Sequence, residues 1–212
     1  MKINAILLAA GTSSRMKEKN KLLLPWEGKP LVVHAFEQLA KADFQEILVV
    51  TGFEAERIKS VLEGYNARFL HNPNFETGMT SSIQTGVLNC LSDTEGYLIG
   101  LSDMPFLRFK DYNVLIRKFK ETVHLGARII VATTKEGKKR NPVIFSHHYN
   151  KAILQHKAPN GCKKILLENP QHIIPVELEA LGTFRDIDTQ EEYLSMREEI
   201  DGELSIKNRI AS

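Results

Sequence analysis

The segment from Ile6 to Lys21 reads ILLAAGTSSRMKEKNK, and it carries the strongest functional signal in the chain. An apolar run, Ile3–Leu8, ends in small residues, and Ser13, Arg15 and Lys21 follow it. A buried strand that opens into a small-residue loop lets backbone N–H groups approach a phosphate closely. Arginine and lysine in the same loop supply the countercharge. The segment predicts a nucleoside triphosphate site at the start of an α/β domain; a strand followed by a solvated basic turn is the alternative.

Length and composition favour one sizeable α/β domain, since the chain has 212 residues and is 42% hydrophobic. A net charge of +2 gives no electrostatic footprint for nucleic acid, and no apolar run approaches the roughly 20 residues of a membrane span. The N-terminus lacks a signal-like segment, and Cys90 and Cys162 lie far apart in sequence. We therefore expect a cytoplasmic protein with core or near-core thiols. A single domain is predicted over residues 1–200, with a loosely attached tail over 201–212.

Strand-like and helix-like patterns alternate along the first two thirds of the chain. Strands are predicted at Ile3–Leu8, Glu46–Thr51, Ala67–Leu70, Tyr97–Leu101 and Arg128–Ala132, and helices at Leu31–Ala40, Ile58–Leu62, Thr80–Leu91 and around Leu115–Phe119. Such alternation predicts a mainly parallel sheet between two layers of helices. Ligands of parallel sheets bind at the carboxyl ends of the strands, so the chemistry should lie in the loops that follow them.

The pattern changes after Thr134. A charged turn at Lys135–Arg140 followed by a strand at Asn141–Phe145 predicts an antiparallel hairpin that forms a lid or a dimer arm. Beyond it the sequence predicts two short helices around a turn at Pro159–Gly161, strands at His172–Val176 and Phe184–Ile187, and a final helix that begins near Thr189 with Glu192 as its capping-box partner.

A carboxylate ends the apolar strand in YLIGLSDMPFL, residues 97–107. Pro105, two residues after Asp103, prevents the strand from continuing, so Asp103 should face the same crevice as the loop that contains Arg15. Mg²⁺ prefers oxygen ligands and typically takes one or two carboxylates plus substrate phosphates. Asp103 is thus a candidate metal ligand, and a turn or helix-capping aspartate is the equally weighted alternative.

A second acidic motif, FRDIDTQEEY, occupies residues 184–193. In a strand, residues two apart face the same side, so Asp186 and Asp188 are expected to point together. Two adjacent carboxylates repel unless a cation or a proton lies between them. One of the pair is therefore a candidate to complete a metal site with Asp103, unless Asp188 caps the helix that begins at Thr189.

The segment NPNFETGMTSSIQTGV, residues 72–87, places Gly78, Ser81 and Ser82 at a predicted helix start. Free N–H groups and hydroxyls at a helix N-terminus bind anions or the polar edge of a base. Ordinary N-capping by Thr80 or Ser81 is the alternative.

Six segments together resemble molybdenum cofactor cytidylyltransferases and their MobA-like relatives. In chain order they are LLAAGTSSRM, KLLLPWEGKPLV, NPNFETGMTSSIQTGV, SDMPFL, RNPVIF and DIDTQEEY. The resemblance covers nearly the whole chain and implies a Rossmann-like nucleotidyltransferase fold: a mainly parallel three-layer α/β structure with an antiparallel hairpin insertion. It also implies transfer of a nucleotidyl group from a nucleoside triphosphate with release of pyrophosphate.

The resemblance also implies the site residues. The nucleotide would be bound by Leu8, Ala9, Ala10, Gly11, Ser13, Arg15, Lys21, Ser82 and Asp103. Among these, Arg15 and Lys21 would hold the phosphates and act in catalysis with Asp103, and Mg²⁺ would be bound by Asp103 together with Asp186 or Asp188. In this family LAAG rather than LAGG at Leu8–Gly11 favours cytidine, because an alanine methyl narrows the pocket for a purine.

The most specific expectation is therefore transfer of CMP from CTP to the phosphate of the molybdopterin cofactor, with Mg²⁺ bound and a molybdenum hydroxylase as the downstream partner. No nucleic-acid or membrane partner is expected. The alternatives are another phosphorylated acceptor (a sugar or polyol phosphate), GTP as the nucleotide, or a non-catalytic protein that binds or delivers the molybdenum cofactor.

Overall fold

The structure, a computed structural model, describes residues 1–16, 20–178 and 184–199. Its strands are β1 (Ile3–Ala9), β2 (Pro25–Trp26), β3 (Lys29–Pro30), β4 (Glu46–Thr51), β5 (Arg68–His71), β6 (Gly96–Leu101), β7 (Ile129–Thr133), β8 (Lys139–Ser146) and β9 (Ile173–Glu177). Its helices are α1 (Leu31–Ala40), α2 (Ala55–Val61), α3 (Met79–Leu88), α4 (Phe109–Thr122), α5 (Asn150–Leu154), α6 (Lys163–Glu168) and α7, which covers residues 190–199. None of the described helices has the length and apolarity that crossing a bilayer requires.

The main sheet has seven strands in the order β5-β4-β1-β6-β8-β7-β9. Its pairs are parallel except those made by β8, which runs antiparallel to both β6 and β7. Strand β1 is buried along its whole length, as a central strand covered on both faces must be. The predicted α/β class, mainly parallel sheet and antiparallel hairpin are therefore confirmed.

Alternate residues of β1 pack into two hydrophobic clusters on opposite faces of the sheet. Leu7 belongs to the cluster that contains Phe36 of α1 and Leu115 of α4. Ile6 belongs to the cluster that contains Ile83 of α3. The three-layer arrangement follows from this division, and it brings the start of α3 beside the loop that follows β1.

The hairpin formed by β7 and β8 is part of the main sheet. Strand β8 lies between β6 and β7, so only the turn that joins β7 to β8 extends beyond the sheet. Because β7 runs in the same direction as β6, this turn lies at the same edge of the sheet as Asp103. The strands of the hairpin therefore do not form a separate lid, and a dimer contact made by the turn stays a prediction.

The strand predicted at Phe184–Ile187 is also wrong, because residues 184–188 form no strand. Phe184 and Ile187 both pack against the core, and a spacing of three does not fit the two-residue period of a strand. Instead, the Ile187 N–H donates to the carbonyl of Asp103 at 3.0 Å. The segment thus crosses over the end of β6.

The final helix begins as predicted. The Glu192 N–H donates to Thr189 Oγ1 at 3.2 Å, and Glu192 Oε2 accepts from the Thr189 N–H at 2.8 Å, which is a complete capping box. The predicted tail, residues 201–212, lies outside the described residues.

Candidate active site

A cavity of about 350 Å³ opens at the carboxyl ends of β1 and β6, where parallel α/β sheets bind their ligands. It is lined by Leu8, Ala10, Gly11, Thr12, Ser13, Ser14, Arg15, Lys21, Leu22, Phe75, Glu76, Gly78, Met79, Ser82, Leu101, Ser102, Asp103 and Asp188.

The loop after β1 curls back on itself to form one wall. Ser13 has a φ of 53°, a left-handed conformation that non-glycine residues adopt at some cost. Two hydrogen bonds hold it there: the Met16 N–H donates to the Ser13 carbonyl at 2.8 Å, and the Lys21 N–H donates to Ser13 Oγ at 3.1 Å. A Cβ added at Gly11 would meet no protein atom within 4 Å, so the loop leaves open space at that glycine.

Two cations and two carboxylates form one ionic cluster in the cavity. The Lys21 ammonium lies 2.6 Å from Asp103 Oδ2 and 3.1 Å from Asp188 Oδ1. Arg15 Nη1 lies 2.7 Å from Asp188 Oδ2. The side chains of Lys21 and Asp103 are only 14% and 16% exposed, whereas that of Arg15 is 64% exposed. The cluster thus has a largely buried centre at Lys21 and an exposed cation, Arg15, at its rim.

The contacts within the cluster shift the pKa values of Lys21 and Asp188. Burial lowers the pKa of Lys21, but Asp103 and Asp188 outweigh it and raise that pKa above its usual value. Burial raises the pKa of Asp188, yet Lys21 and Arg15 bring it below its usual value. The pKa of Asp186 is raised, first by burial and then by the negative charges of Asp188 and Asp103. Lys21 and Asp188 are therefore ionised at neutral pH, and the surroundings disfavour the anion of Asp186.

Asp103 is held at the end of β6 by its neighbours. Ser102 Oγ donates to the Leu8 carbonyl at 2.7 Å and ties the end of β6 to β1. Asp103 Oδ1 is buried and has no hydrogen-bond partner among the described residues. A buried carboxylate oxygen without a partner is costly, and a bound cation is one way to satisfy it.

The start of α3 forms the opposite wall. Gly78 has a φ of 114°, and a Cβ there would lie 2.7 Å from the Pro159 carbonyl oxygen, so the close approach of the 158–161 turn requires glycine. Thr80 Oγ1 accepts from the Gly161 N–H at 3.0 Å. Asn72 Nδ2 donates to Ser82 Oγ at 3.0 Å, which turns one hydroxyl of the helix start towards β5.

Most of the residues predicted from the sequence line this cavity. They are Leu8, Ala10, Gly11, Ser13, Arg15, Lys21, Ser82, Asp103 and Asp188. Ala9 does not line it, because its side chain is buried in the core. Asp186 does not line it either, and the strand on which its predicted alignment with Asp188 depends does not form. The cation between two carboxylates is Lys21, and the carboxylates are Asp103 and Asp188.

Sequence reasoning missed the turn before α3. Phe75, Glu76 and Met79 line the cavity beside Gly78, although only the glycine and the serines of that segment were expected there. The available signal was Gly78 itself, since a glycine that starts a helix indicates a close backbone approach. Within the described residues, no group of three or more histidine, cysteine, aspartate or glutamate side chains could hold a metal ion.

Comparison with known sequences gives a family match and a relative. The family model for the MobA-like NTP transferase domain matches residues 5–173. The bifunctional protein GlmU of Oceanobacillus iheyensis is 30% identical over 172 residues, which cover 77% of this chain and 36% of GlmU. The chain therefore spans about a third of the length of that relative.

Comparison with solved structures finds the same fold in other proteins, one of which is a nucleotidyl transferase. Rv0371c of Mycobacterium tuberculosis H37Rv has a TM-score of 0.79 at 19% identity, covering 93% of this chain and 98% of Rv0371c. The nucleotidyl transferase Mth528 of Methanothermobacter thermautotrophicus has a TM-score of 0.78 at 21% identity, covering 93% of this chain and 97% of Mth528. The fold predicted from the sequence is thus confirmed.

Proposed function

This chain belongs to the MobA-like NTP transferase domain family, and we propose on that basis that it transfers a nucleotidyl group to a phosphorylated acceptor. In its most specific form, the proposal is transfer of CMP from CTP to the phosphate of the molybdopterin cofactor, with release of pyrophosphate. The reaction would take place in the cytoplasm, and a molybdenum hydroxylase would receive the product.

One observation carries the proposal: two cations and two carboxylates converge on one cavity that a small-residue loop borders. Phosphoryl-type transfer needs positioning and charge neutralisation more than covalent participation by the enzyme. Lys21 and Arg15 supply positive charge to the phosphates from one side. The open space at Gly11 lets the loop backbone approach the triphosphate.

The donor set suits a divalent metal. Asp103 and Asp188 would hold Mg²⁺, because both are carboxylates that line the cavity and Asp103 Oδ1 is a buried acceptor without a partner. When bound, the metal supplies charge neutralisation to the reacting phosphates. The related fold of Rv0371c has also been solved as a complex with manganese, which supports a divalent cation. Asp186, outside the cavity, is the weaker candidate ligand.

The bond changes follow from the substrates. An oxygen of the acceptor phosphate attacks the α-phosphorus of CTP, the bond from that phosphorus to the bridging oxygen of the β-phosphate breaks, and pyrophosphate leaves. The acceptor phosphate is already ionised at neutral pH, so the enzyme needs no general base. Lys21 and Arg15 stabilise the charge that grows on the departing pyrophosphate.

Cytidine is the proposed base because Ala10 adds a methyl group to the cavity wall. A structure of CMP:2-keto-3-deoxy-manno-octonic acid synthetase complexed with CTP has a TM-score of 0.76 to this chain at 15% identity. The molybdopterin-guanine dinucleotide biosynthesis protein A of Archaeoglobus fulgidus has a TM-score of 0.68 at 18% identity. These two likenesses concern the fold and do not distinguish CTP from GTP, so the choice of CTP rests on Ala10.

The acceptor is proposed to be anionic because of the turn between β7 and β8. This turn lies at the same edge of the sheet as Asp103, and the segment Lys135–Arg140 contains four basic residues and one acidic residue. Basic residues at the edge of the sheet where the cavity opens raise the local concentration of anionic substrates.

A binding and turnover experiment tests the proposal. A thermal-shift screen of all four ribonucleoside triphosphates with Mg²⁺ should give the largest stabilisation with CTP, because a ligand that binds only the native state raises its apparent stability. Pyrophosphate release is then measured with CTP, Mg²⁺ and molybdopterin cofactor, sugar phosphates or polyol phosphates in parallel. Release with only a sugar or polyol phosphate would change the acceptor. Cofactor binding without release from any nucleotide would favour a delivery protein.

A further inference from the structure

The two carboxylates in the cavity differ in how many of their oxygens are engaged. Asp188 has none free: Oδ1 lies 3.1 Å from the Lys21 ammonium and Oδ2 lies 2.7 Å from Arg15 Nη1. Asp103 has one engaged oxygen, Oδ2, at 2.6 Å from Lys21, and one buried oxygen, Oδ1, without a partner. A divalent cation could therefore bind Asp103 through Oδ1, whereas both oxygens of Asp188 already contact a cationic side chain.

The observed positions of Lys21 and Arg15 oppose binding of the cation to Asp188. Mg²⁺ binds oxygen at about 2.1 Å, so an ion on Asp188 Oδ1 would lie within about 5 Å of the Lys21 ammonium. Positive charges this close repel strongly in a half-buried site, where water screens them little. Asp188 can become a metal ligand only after Lys21 or Arg15 moves away from it.

A triphosphate is the ligand that can move both cations. Its oxygens carry more negative charge than one carboxylate, and charge-assisted hydrogen bonds from lysine and arginine to phosphate are strong. Lys21 and Arg15 already line the cavity, and Arg15 is exposed enough to turn into it. Their transfer from Asp188 to phosphate would uncover the carboxylate when the nucleotide enters.

We propose that Lys21 and Arg15 cap Asp188, and that the triphosphate removes this cap, so that nucleotide binding completes the divalent-cation site. The proposal rests on the proposed function in one respect, that the ligand of the cavity is a nucleoside triphosphate. It makes Lys21 responsible for the order of binding as well as for phosphate contact. By linkage, the nucleotide and the cation must raise each other's affinity by the same factor.

Binding of Mn²⁺ to the full chain, followed by the electron paramagnetic resonance signal of free Mn²⁺, tests the proposal without turnover. The nucleotide probe is α,β-methylene-CTP, which the enzyme cannot cleave at the α-phosphorus. Wild type should bind Mn²⁺ at least about tenfold more tightly with this analogue than without it. Because any phosphate ligand contributes to such a gain, the variants decide the question.

Lys21→Met should bind Mn²⁺ about tenfold more tightly than wild type in the absence of nucleotide, because Asp188 Oδ1 is then free. The double variant Lys21→Met/Asp188→Asn should lose this gain. Asp188→Asn alone should change Mn²⁺ affinity less than about threefold without nucleotide, and weaken it at least about tenfold with the analogue. Lys29→Met is the matched control, since Lys29 pairs with Glu37 at 2.5 Å away from the cavity, and it should behave as wild type.

Three results would overturn the proposal: equal Mn²⁺ affinities of wild type and Lys21→Met, a gain that persists in the double variant, or a marked loss in Asp188→Asn without nucleotide. Absence of Mn²⁺ binding with and without the analogue would overturn it as well. If Lys21→Met does not fold, Arg15→Met serves instead, because it frees Asp188 Oδ2 by a change at an exposed residue. This variant must then bind Mn²⁺ more tightly than wild type in the absence of nucleotide. If wild type releases pyrophosphate normally, any of these results overturns the cap on Asp188 and leaves the proposed function standing. If Mn²⁺ and the analogue raise each other's affinity but no nucleotide yields pyrophosphate, the proposed reaction is overturned and the cap stands.

Discussion

Two basic regions lie at the edge of the sheet where the cavity opens, one inside the cavity and one at the turn between β7 and β8, and their cations are paired differently. In the cavity, Lys21 and Arg15 pair with Asp103 and Asp188 at 3.1 Å or less. The second region comprises the turn between β7 and β8 and the first two residues of β8. There, no salt bridge within the described residues joins Lys138, Lys139 or Arg140 to a carboxylate, and Arg140 donates to the Lys139 carbonyl at 3.4 Å.

The difference suggests two roles: the cavity recognises one particular ligand, and the second region attracts anions in general. A cluster whose charges are already paired has fixed geometry, so it suits a ligand with a fixed arrangement of charge, such as a metal-bound triphosphate. Exposed, unpaired cations attract any anion and impose little orientation. We therefore expect changes in the cavity to affect the chemical step and changes in the turn to affect acceptor capture.

The largest effect is expected for Asp103→Asn. An amide is a poor substitute for a carboxylate as a ligand of Mg²⁺, so pyrophosphate release should be abolished while the fold is retained. Release is measured at saturating Mg²⁺ and the fold by circular dichroism. Asp43→Asn, at an exposed aspartate paired with Lys120 at 2.5 Å, is the control and should be fully active. Near-normal activity of the Asp103 variant would make this residue a turn aspartate and put the metal elsewhere.

Removal of either cation in the cavity should come next. Lys21→Ala and Arg15→Ala should each lower kcat/KM about 100-fold or more, as loss of transition-state charge stabilisation typically does. The loss should be greater for Lys21, which contacts both carboxylates. Lys21→Arg should not restore the rate, because a forked guanidinium differs from a compact ammonium. Unchanged kinetics in both alanine variants would exclude the loop from the active site.

The elements around the cavity could be predicted from the sequence because their signals are local. Strand β1, the small-residue loop and Asp103 after β6 are each marked by a few consecutive residues, and parallel topology brings them together. The course of the final segment could not be predicted, because it depends on a tertiary contact: the Ile187 N–H donates to the Asp103 carbonyl beyond the end of β6. The pairing of Lys21 with Asp103 and Asp188 also depends on tertiary structure, since these residues are far apart in sequence.

Gly11→Ala tests whether the space beside the loop belongs to the nucleotide. A methyl group there would contact no protein atom, so the melting temperature without ligand should stay the same or rise slightly. In the proposed complex the methyl meets the triphosphate, and CTP affinity should fall about 30-fold, within the range for one misplaced methyl group. Both quantities come from thermal shift with and without CTP. A variant with normal CTP affinity would show that the nucleotide does not approach Gly11.

Charge reversal in the turn should have a smaller effect that is confined to the acceptor. Lys139→Glu/Arg140→Glu should raise KM for the acceptor about tenfold at low salt and leave KM for CTP unchanged, and the difference should shrink as salt screens exposed charges. Lys41→Glu, an exposed cation after α1, is the control and should alter neither constant. An equal rise in both KM values would assign the turn to the nucleotide.

The smallest effect is expected for substitution of Ala10. Ala10 lines the cavity but is only 4% exposed, so a small part of its methyl group can meet the base. One methyl group in a pocket is worth about 1–3 kcal/mol when fully engaged, so Ala10→Gly should lower the preference for CTP over GTP about fivefold without reversing it. The measurement is the ratio of kcat/KM for the two nucleotides in wild type and variant. Equal use of both by wild type would remove the cytidine assignment and leave membership of the MobA-like NTP transferase domain family untouched, because that rests on the sequence match over residues 5–173.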